Sequence, residues 1–311
     1  MIALVFPGQG SQSVGMLADL AARFPVVEAT FATVSEACGR DLWRMAQDGP
    51  AEVLGQTANT QPALLAAGVA TWRAWQASGG AAPVAVAGHS LGEYCALVAA
   101  GVLSLEDAAR IVAVRGQAMQ EAVPAGEGAM AAILKLEDDV VAQVCADAAE
   151  GEVVEPVNFN APGQVVVAGA AGAVARAVEG AKAARGRAIP LDVSVPSHSA
   201  LMRPAAEPLA EALAGATFSA PGIPVLHGAD AAQHVAADEI RSVLAEQIYR
   251  PVQWVRTVTG LQGLGATAIG ECGPGKVLTG LIKRIDRSID GRAIAEPGAM
   301  ADAVEAWGET A

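Results

Sequence analysis

Five residues, Gly88-His89-Ser90-Leu91-Gly92, follow the apolar run Val84-Ala85-Val86-Ala87 and precede a helix-like stretch from Glu93 to Ala100. A short buried strand, Gly-x-Ser-x-Gly and a helix, in that order, fold into a tight elbow that lifts one serine hydroxyl to a helix N-terminus. The flanking glycines lack Cβ, so the turn closes and leaves room for an acyl group beside Ser90. Ser90 is therefore the candidate nucleophile. The same pattern also arises as a plain small-residue turn in an Ala- and Gly-rich chain, so its weight comes from the strand and helix around it.

Strands and helices alternate through the first 125 residues. After a strand at Ile2–Phe6 come helical stretches at Phe31–Ala46, Pro62–Gln76 and Leu105–Glu121. Such alternation predicts a mainly parallel sheet covered by helices. From about Gly126 the pattern changes. A strand at Ala129–Leu134, a helix at Glu137–Ala149 and strands at Val153–Asn158 and Gln164–Gly169 are followed by a helix at Ala173–Ala184 and a strand at Arg187–Leu191. The two middle strands are joined by the turn-rich Asn160-Ala161-Pro162-Gly163. This βαββαβ order is that of a ferredoxin-like unit, here inserted as residues 126–192 into a larger α/β domain made of 1–125 and 193–311. Helices near Ala200–Ala214 and Glu239–Tyr249, a strand at Ala266–Gly270 and a helix from Val277 resume the first pattern. A cleft between the two units is the natural place for a substrate.

Length and composition predict a folded, soluble chain. Its 311 residues are 52% hydrophobic, enough for a large core, and no apolar run reaches the length of a membrane span. Met1-Ile2-Ala3-Leu4-Val5-Phe6 has no basic segment and reads as a strand, so no secretory signal is expected. Cys38, Cys95, Cys145 and Cys272 lie far apart, which predicts reduced thiols in the cytoplasm and no zinc site. A net charge of −13 argues against a general nucleic-acid binder. Two glycine loops resemble nucleotide sites imperfectly. Ser13 stands where Gly8-Gln9-Gly10-Ser11-Gln12-Ser13 would need its third glycine, and Val277 replaces the hydroxyl residue that should follow Gly275-Lys276 in a phosphate loop.

A serine needs a base, and the chain has four histidines. His89 neighbours the nucleophile with its side chain directed away, which suits packing or support. His234 lies in a polar stretch and reads as an exposed loop residue. His227 precedes Gly228 near a strand end and is a minor candidate. His198, in Pro196-Ser197-His198-Ser199 at the exit from the inserted unit, is the best placed base; the plainer reading is a helix start capped by Ser197 or Ser199. No acidic residue stands out to orient it, Asp192 being close in sequence only. Arg115 is flanked by Ile111, Val112 and Val114, which predicts a partly buried stem. Its guanidinium could clamp a carboxylate in the cleft, selecting an acyl group that ends in an anion, or simply pair with Glu121 on a helix surface.

Gly8-Gln9-Gly10-Ser11-Gln12, Gly88-His89-Ser90-Leu91-Gly92-Glu93-Tyr94, Val114-Arg115-Gly116, Asn158-Phe159-Asn160-Ala161-Pro162-Gly163-Gln164, Pro196-Ser197-His198 and Gly273-Pro274-Gly275 together resemble the malonyl-CoA:acyl carrier protein transacylases of bacterial fatty-acid synthesis. The resemblance runs in order over nearly the whole chain. It implies an α/β-hydrolase-like large domain with a ferredoxin-like insertion. It also implies Ser90 as nucleophile, His198 as base, the Gln9 and Leu91 amides as oxyanion hole, Arg115 on the malonyl carboxylate and the Gln247 carbonyl orienting the histidine. His89, Asn160 and Ser197 are further pocket candidates. His227 stands where such proteins often carry asparagine. Malonyl-CoA and acyl carrier protein are the implied partners, with no cofactor, no metal, no membrane and a monomeric enzyme. A serine hydrolase or thioesterase, a polyketide-pathway malonyl transferase and a non-catalytic binding protein of the same fold are the competing readings. A usual hydrolase, however, places its histidine near the C-terminus, whereas more than a third of this chain follows His198.

An acidic carrier protein needs a local basic patch on so negative a chain. Lys276, Lys283, Arg284 and Arg287 form the densest cationic run, with Lys283 and Arg287 expected one helical turn apart on one face. Lys182, Arg185 and Arg187 on the inserted unit are the second candidate.

Overall fold

The computed structural model describes residues 1–193 and 195–308. Ser194 and the last three residues, which the sequence reading assigns to the segment 193–311, lie outside the described residues. Among these, the strands are β1 (Ile2–Phe6), β2 (Ala85–Gly88), β3 (Gly128–Leu134), β4 (Val154–Ala161), β5 (Gln164–Ala170), β6 (Arg187–Pro190), β7 (Val225–Leu226), β8 (Ala268–Glu271) and β9 (Asp290–Ala293).

Five strands form a parallel sheet in the order β7-β2-β1-β8-β9. Its central strand explains the unbroken apolar N-terminus. Ile2, Leu4 and Phe6 point into one core with the helix Thr57–Ala77, while Ala3 and Val5 point into a second with Trp254 and Ile269. A strand covered on both faces reads as a continuous hydrophobic run. The other sheet is antiparallel, in the order β4-β5-β3-β6. The helices Asp138–Ala149 and Ala171–Ala183 cover one of its faces, and Met130, Ala132, Val157, Val166 and Ala168 form the other. The antiparallel sheet is tied to the segment just before the helix Trp254–Gly263, where Phe159 N donates to Val252 O (2.9 Å) and Val252 N to Val157 O (2.8 Å).

Several local readings need correction. The single helix expected over Phe31–Ala46 is two, Val26–Cys38 and Leu42–Asp48, because Gly39 takes a left-handed conformation (φ 65°) that stops the first. Asp41 then caps the second by accepting from Arg44 N. The stretch Ala200–Ala214 opens as a 3₁₀ helix to Ala205 around Pro204, which has no N–H to give. The helix expected over Glu239–Tyr249 runs Ala237–Gln247, so it ends on a residue of the site. Asn160 and Ala161 belong to β4 and only Pro162-Gly163 turns. The helices Trp254–Gly263 and Pro297–Trp307 and the strand β9 escaped the sequence reading, whereas the strand end expected before His227 is β7. No helix of the described residues is long and apolar enough to cross a membrane.

Candidate active site

The elbow forms where β2 ends and the helix Gly92–Ala99 begins, with Ser90 in a left-handed conformation (φ 52°) at the corner. Its glycines serve backbone approach more than acyl space. A Cβ on Gly88 would lie 1.9 Å from the Gly92 carbonyl carbon, and one on Gly92 would lie 2.0 Å from the Phe6 carbonyl oxygen. The pair lets helix and strands close on each other.

His198 comes from the other side of the cleft and is also left-handed (φ 67°). Two non-glycine residues in this region, facing each other across a site, mark stored strain that surrounding contacts must hold. For His198 those contacts come from one corner: its N–H donates to Ile248 O (2.9 Å) and its ring Nδ1 lies 2.8 Å from Gln247 O. Gln247 ends the helix Ala237–Gln247, where the last carbonyls have no partner within the helix. A carbonyl only accepts, so Nδ1 carries the hydrogen and Nε2 is bare. Nε2 stands 2.8 Å from Ser90 Oγ, so the serine hydroxyl donates to it. No helix cap explains this histidine, because Ser199 Oγ donates to Pro196 O and makes no cap bond.

Arg115 is fully buried, against the expectation of a partly buried stem, and does not meet Glu121. Its Nη1 donates to Gln61 Oε1 (2.8 Å) and its Nη2 to Ser90 Oγ (3.2 Å) and Gln247 Oε1 (3.0 Å). Nε has no partner among the described residues. The serine oxygen thus faces an imidazole nitrogen on one side and a guanidinium on the other. Burial and the adjacent Arg115 charge push the His198 ring down to about 3, so it is neutral at any neutral pH. Burial lowers Arg115 as well, against the raising effect of the nearby Tyr94 and Glu93.

Gln9, Leu91 and Ser197 line the same cavity as Ser90, Arg115 and His198. Neither the Gln9 nor the Leu91 amide enters a turn or cap hydrogen bond among the described residues. His89 turns from the serine as expected: Nε2 meets Asn160 Oδ1 at 2.8 Å and its ring packs against Trp254. His227 makes no hydrogen bond with Ser90 and does not line its cavity. It is buried, with Nδ1 2.7 Å from Glu93 Oε1, and the other carboxylate oxygen of Glu93 accepts from Gly228 N (2.9 Å) and Gln247 Nε2 (2.7 Å). His234 is half-buried and bonded to Asp230 at 2.9 Å, which corrects its reading as an exposed loop residue. Gln61 and Glu93 escaped the sequence reading; the only signal was Glu93 directly after the elbow.

The phosphate-loop likeness around Gly273-Pro274-Gly275 has a structural answer. Glu271, fully buried, accepts from Leu278 N, Thr279 N and Thr279 Oγ1, so a carboxylate of the chain itself already sits on the N-terminal amides of the helix Val277–Ile285. Lys276, Lys283, Arg284 and Arg287 are exposed. The helix Val277–Ile285 stops before Arg287, with Asp286 extended, so Lys283 and Arg287 do not share a helix face. In the second basic group Lys182 pairs with Glu179 at 2.7 Å.

The acyl transferase domain family matches residues 3–271. The malonyl CoA-acyl carrier protein transacylase of Escherichia coli (strain K12) is 57% identical over 304 residues, covering 97% of this chain and 98% of that protein. A crystal structure of the malonyl-CoA:acyl carrier protein transacylase from Xanthomonas oryzae pv. oryzae is 57% identical with a TM-score of 0.96, over 98% of each chain. A type II PKS acyl-carrier protein in complex with its malonyl-transacylase gives a match 52% identical with a TM-score of 0.96, over 98% of this chain and 99% of that one. With an elbow serine, a facing histidine and a buried arginine on one oxygen, and likeness over nearly its whole length, the chain belongs to the malonyl CoA-acyl carrier protein transacylase family.

Proposed function

We propose that this enzyme moves a malonyl group from malonyl-CoA to the phosphopantetheine thiol of acyl carrier protein through a malonyl ester on Ser90. The observation that carries the reading is the double contact on Ser90 Oγ, to His198 Nε2 at 2.8 Å and to Arg115 Nη2 at 3.2 Å. Nε2 takes the serine proton as Oγ attacks the thioester carbonyl. The tetrahedral oxyanion settles between the Gln9 and Leu91 amides, at the N-terminal end of the helix Gly92–Ala99. Collapse breaks the carbon–sulfur bond, and the departing CoA sulfur takes the proton back from Nε2. The carrier thiol then gives its proton to Nε2 and attacks the ester, and Ser90 leaves with that proton.

Gln247 replaces the acid of a usual triad. Its carbonyl, at a helix C-terminus, fixes the ring tautomer and favours the transient imidazolium. Arg115 holds the distal carboxylate by exchanging its neutral acceptors, Gln61 and Gln247, for an anion. Ser90, His198 and the two thiols account for every bond and proton in the scheme, so it calls on no cofactor or metal; CoA thioester is a substrate.

We further read the antiparallel unit, 126–192, as a ferredoxin-like insertion in an α/β-hydrolase-like domain of 1–125 and 193–311. The strand order β4-β5-β3-β6 and the parallel order β7-β2-β1-β8-β9 support it. We take the enzyme to act as a monomer in the cytoplasm, where CoA thioesters and carrier protein meet. Lys283, Arg284 and Arg287 are the proposed carrier dock.

Intact mass after incubation with malonyl-CoA tests the reading. A malonyl adduct is expected on the wild type, absent from Ser90→Ala, and discharged by holo carrier protein. Steady CoA release without carrier protein would instead make the chain a hydrolase.

A further inference from the structure

Five buried side-chain polar atoms have no hydrogen-bond partner among the described residues: Tyr94 Oη, Arg115 Nε, Asn158 Oδ1, His227 Nε2 and Trp254 Nε1. Only Arg115 and Asn158 line the cavity of Ser90. An unpaired buried acceptor costs free energy, so its presence in a site calls for a ligand that completes it. Arg115 awaits an anion. Asn158 awaits a donor.

The backbone is bent to put Asn158 there. In the β4–β5 ladder Pro156 pairs with Val167, Asn158 with Val166 and Phe159 with Val165, so Val157 is an extra residue. Val165 and Val167 lie under the helices of this unit, whereas Val166 shares the opposite face with Met130, which also lines the cavity. In an unbroken register Asn158 would oppose Val165 and be turned under the helices. The bulge moves it to the cavity face, the re-aiming that bulges beside active sites provide. Asn160, the next asparagine, is already engaged by His89 at 2.8 Å.

The donor cannot come from the malonyl group, whose carboxylate and thioester oxygens only accept. In the substrates assigned above, the first N–H is the amide two methylenes from sulfur, common to CoA and the carrier's prosthetic arm. We propose that Asn158 Oδ1 accepts the hydrogen bond of that amide and so registers the thioester carbonyl over Ser90 in both half-reactions. The inference rests on the transacylase reading.

The test compares two synthetic donors, the malonyl thioester of N-acetylcysteamine and the analogue in which its amide NH is replaced by CH2. Wild type is expected to be malonylated on Ser90 with kcat/KM about tenfold higher for the amide. In Asn158→Leu this ratio falls to about one, and in Asn158→Asp, which keeps an acceptor, the preference persists. The corresponding free thiols, used to discharge malonyl-Ser90, report the carrier arm in the same way. A full preference in a folded Asn158→Leu overturns the proposal, as does its loss in Asn158→Asp should the leucine variant not fold. Failure of malonyl-CoA itself to label wild-type Ser90 would instead remove the transacylase reading, so the two failures are distinguishable.

Discussion

Glu93 Oε2 lies 2.7 Å from Gln247 Nε2, and this contact decides which way the Gln247 amide faces. Nε2 meets two acceptors, that carboxylate and Ser90 O at 3.2 Å, so Oε1 must point to Arg115. Because the main-chain oxygen of Gln247 holds His198, one residue positions both the His198 ring and the Arg115 guanidinium. The nearest negative charge thus reaches Arg115 through a neutral amide. A carboxylate touching Arg115 directly would compete with the substrate's own.

Glu93→Ala should therefore strip three buried groups of their acceptor at once. His227, Gly228 and Gln247 all lean on this side chain, and leaving a buried hydrogen-bonding group without its partner costs about 1–3 kcal/mol each. Glu93→Gln keeps the shape and one accepting oxygen, and His227 can offer a bare Nδ1 to the new amide. Urea unfolding should show the alanine variant losing at least twice as much stability as the glutamine variant. Equal losses would mean that Glu93 fills space and anchors nothing.

Arg115→Ala should reduce malonyl transfer by about one to three orders of magnitude more than acetyl transfer. The lost contact is to a charge that acetyl lacks, while the lost bond to Ser90 Oγ affects both donors alike. Arg115→Lys should recover little, since a single ammonium cannot reproduce a fork already held by Gln61 and Gln247. Parallel kcat/KM measurements with malonyl-CoA and acetyl-CoA decide it; equal losses would make Arg115 a packing residue.

The depressed His198 ring sets a pH signature with a definite sign. Burial, then the Arg115 charge, takes it from 6.5 to about 3, and burial also lowers His89. Below pH 6.5 the unfolded chain binds protons that the folded chain refuses, so stability falls as pH drops from 6.5 toward 3. The same neutral ring is the proposed base, so malonylation of Ser90 should show no acid limb between pH 7 and 5. Single-turnover labelling and urea midpoints at pH 7.5 and 5.0 check both; a rate limb centred near 6.5 would show that the histidine titrates normally.

The residues legible in the sequence were those whose chemistry demands a type and a local setting. Ser90 stands on a strand–elbow–helix pattern, His198 follows a change of fold pattern, and Arg115 sits among apolar neighbours. Glu93, Gln61 and Asn158 were illegible for the opposite reason. Their roles depend on partners far along the chain, such as Glu93 with His227 134 positions away, or on a one-residue bulge that no periodicity announces. The same holds for the fold. Long periodic helices such as Leu105–Glu121 were read to the residue, whereas the short, polar β9 pairs only because β8 offers it an edge.

Lys283 and Arg284 close the helix Val277–Ile285, exposed and without an ion pair to any described acid, on a chain of net charge −13. An acidic partner meets general repulsion and local attraction there, which orients the encounter and makes it salt-dependent. Arg287, past the helix end, adds charge to the patch but not to the same face. Lys283→Glu combined with Arg284→Glu should raise the KM for carrier protein about tenfold at low salt, an effect fading as salt rises. Formation of malonyl-Ser90 from malonyl-CoA should not change, because neither residue lines the cavity. An unaltered dependence on carrier protein would move the dock to Arg185 and Arg187, which are exposed on the antiparallel unit.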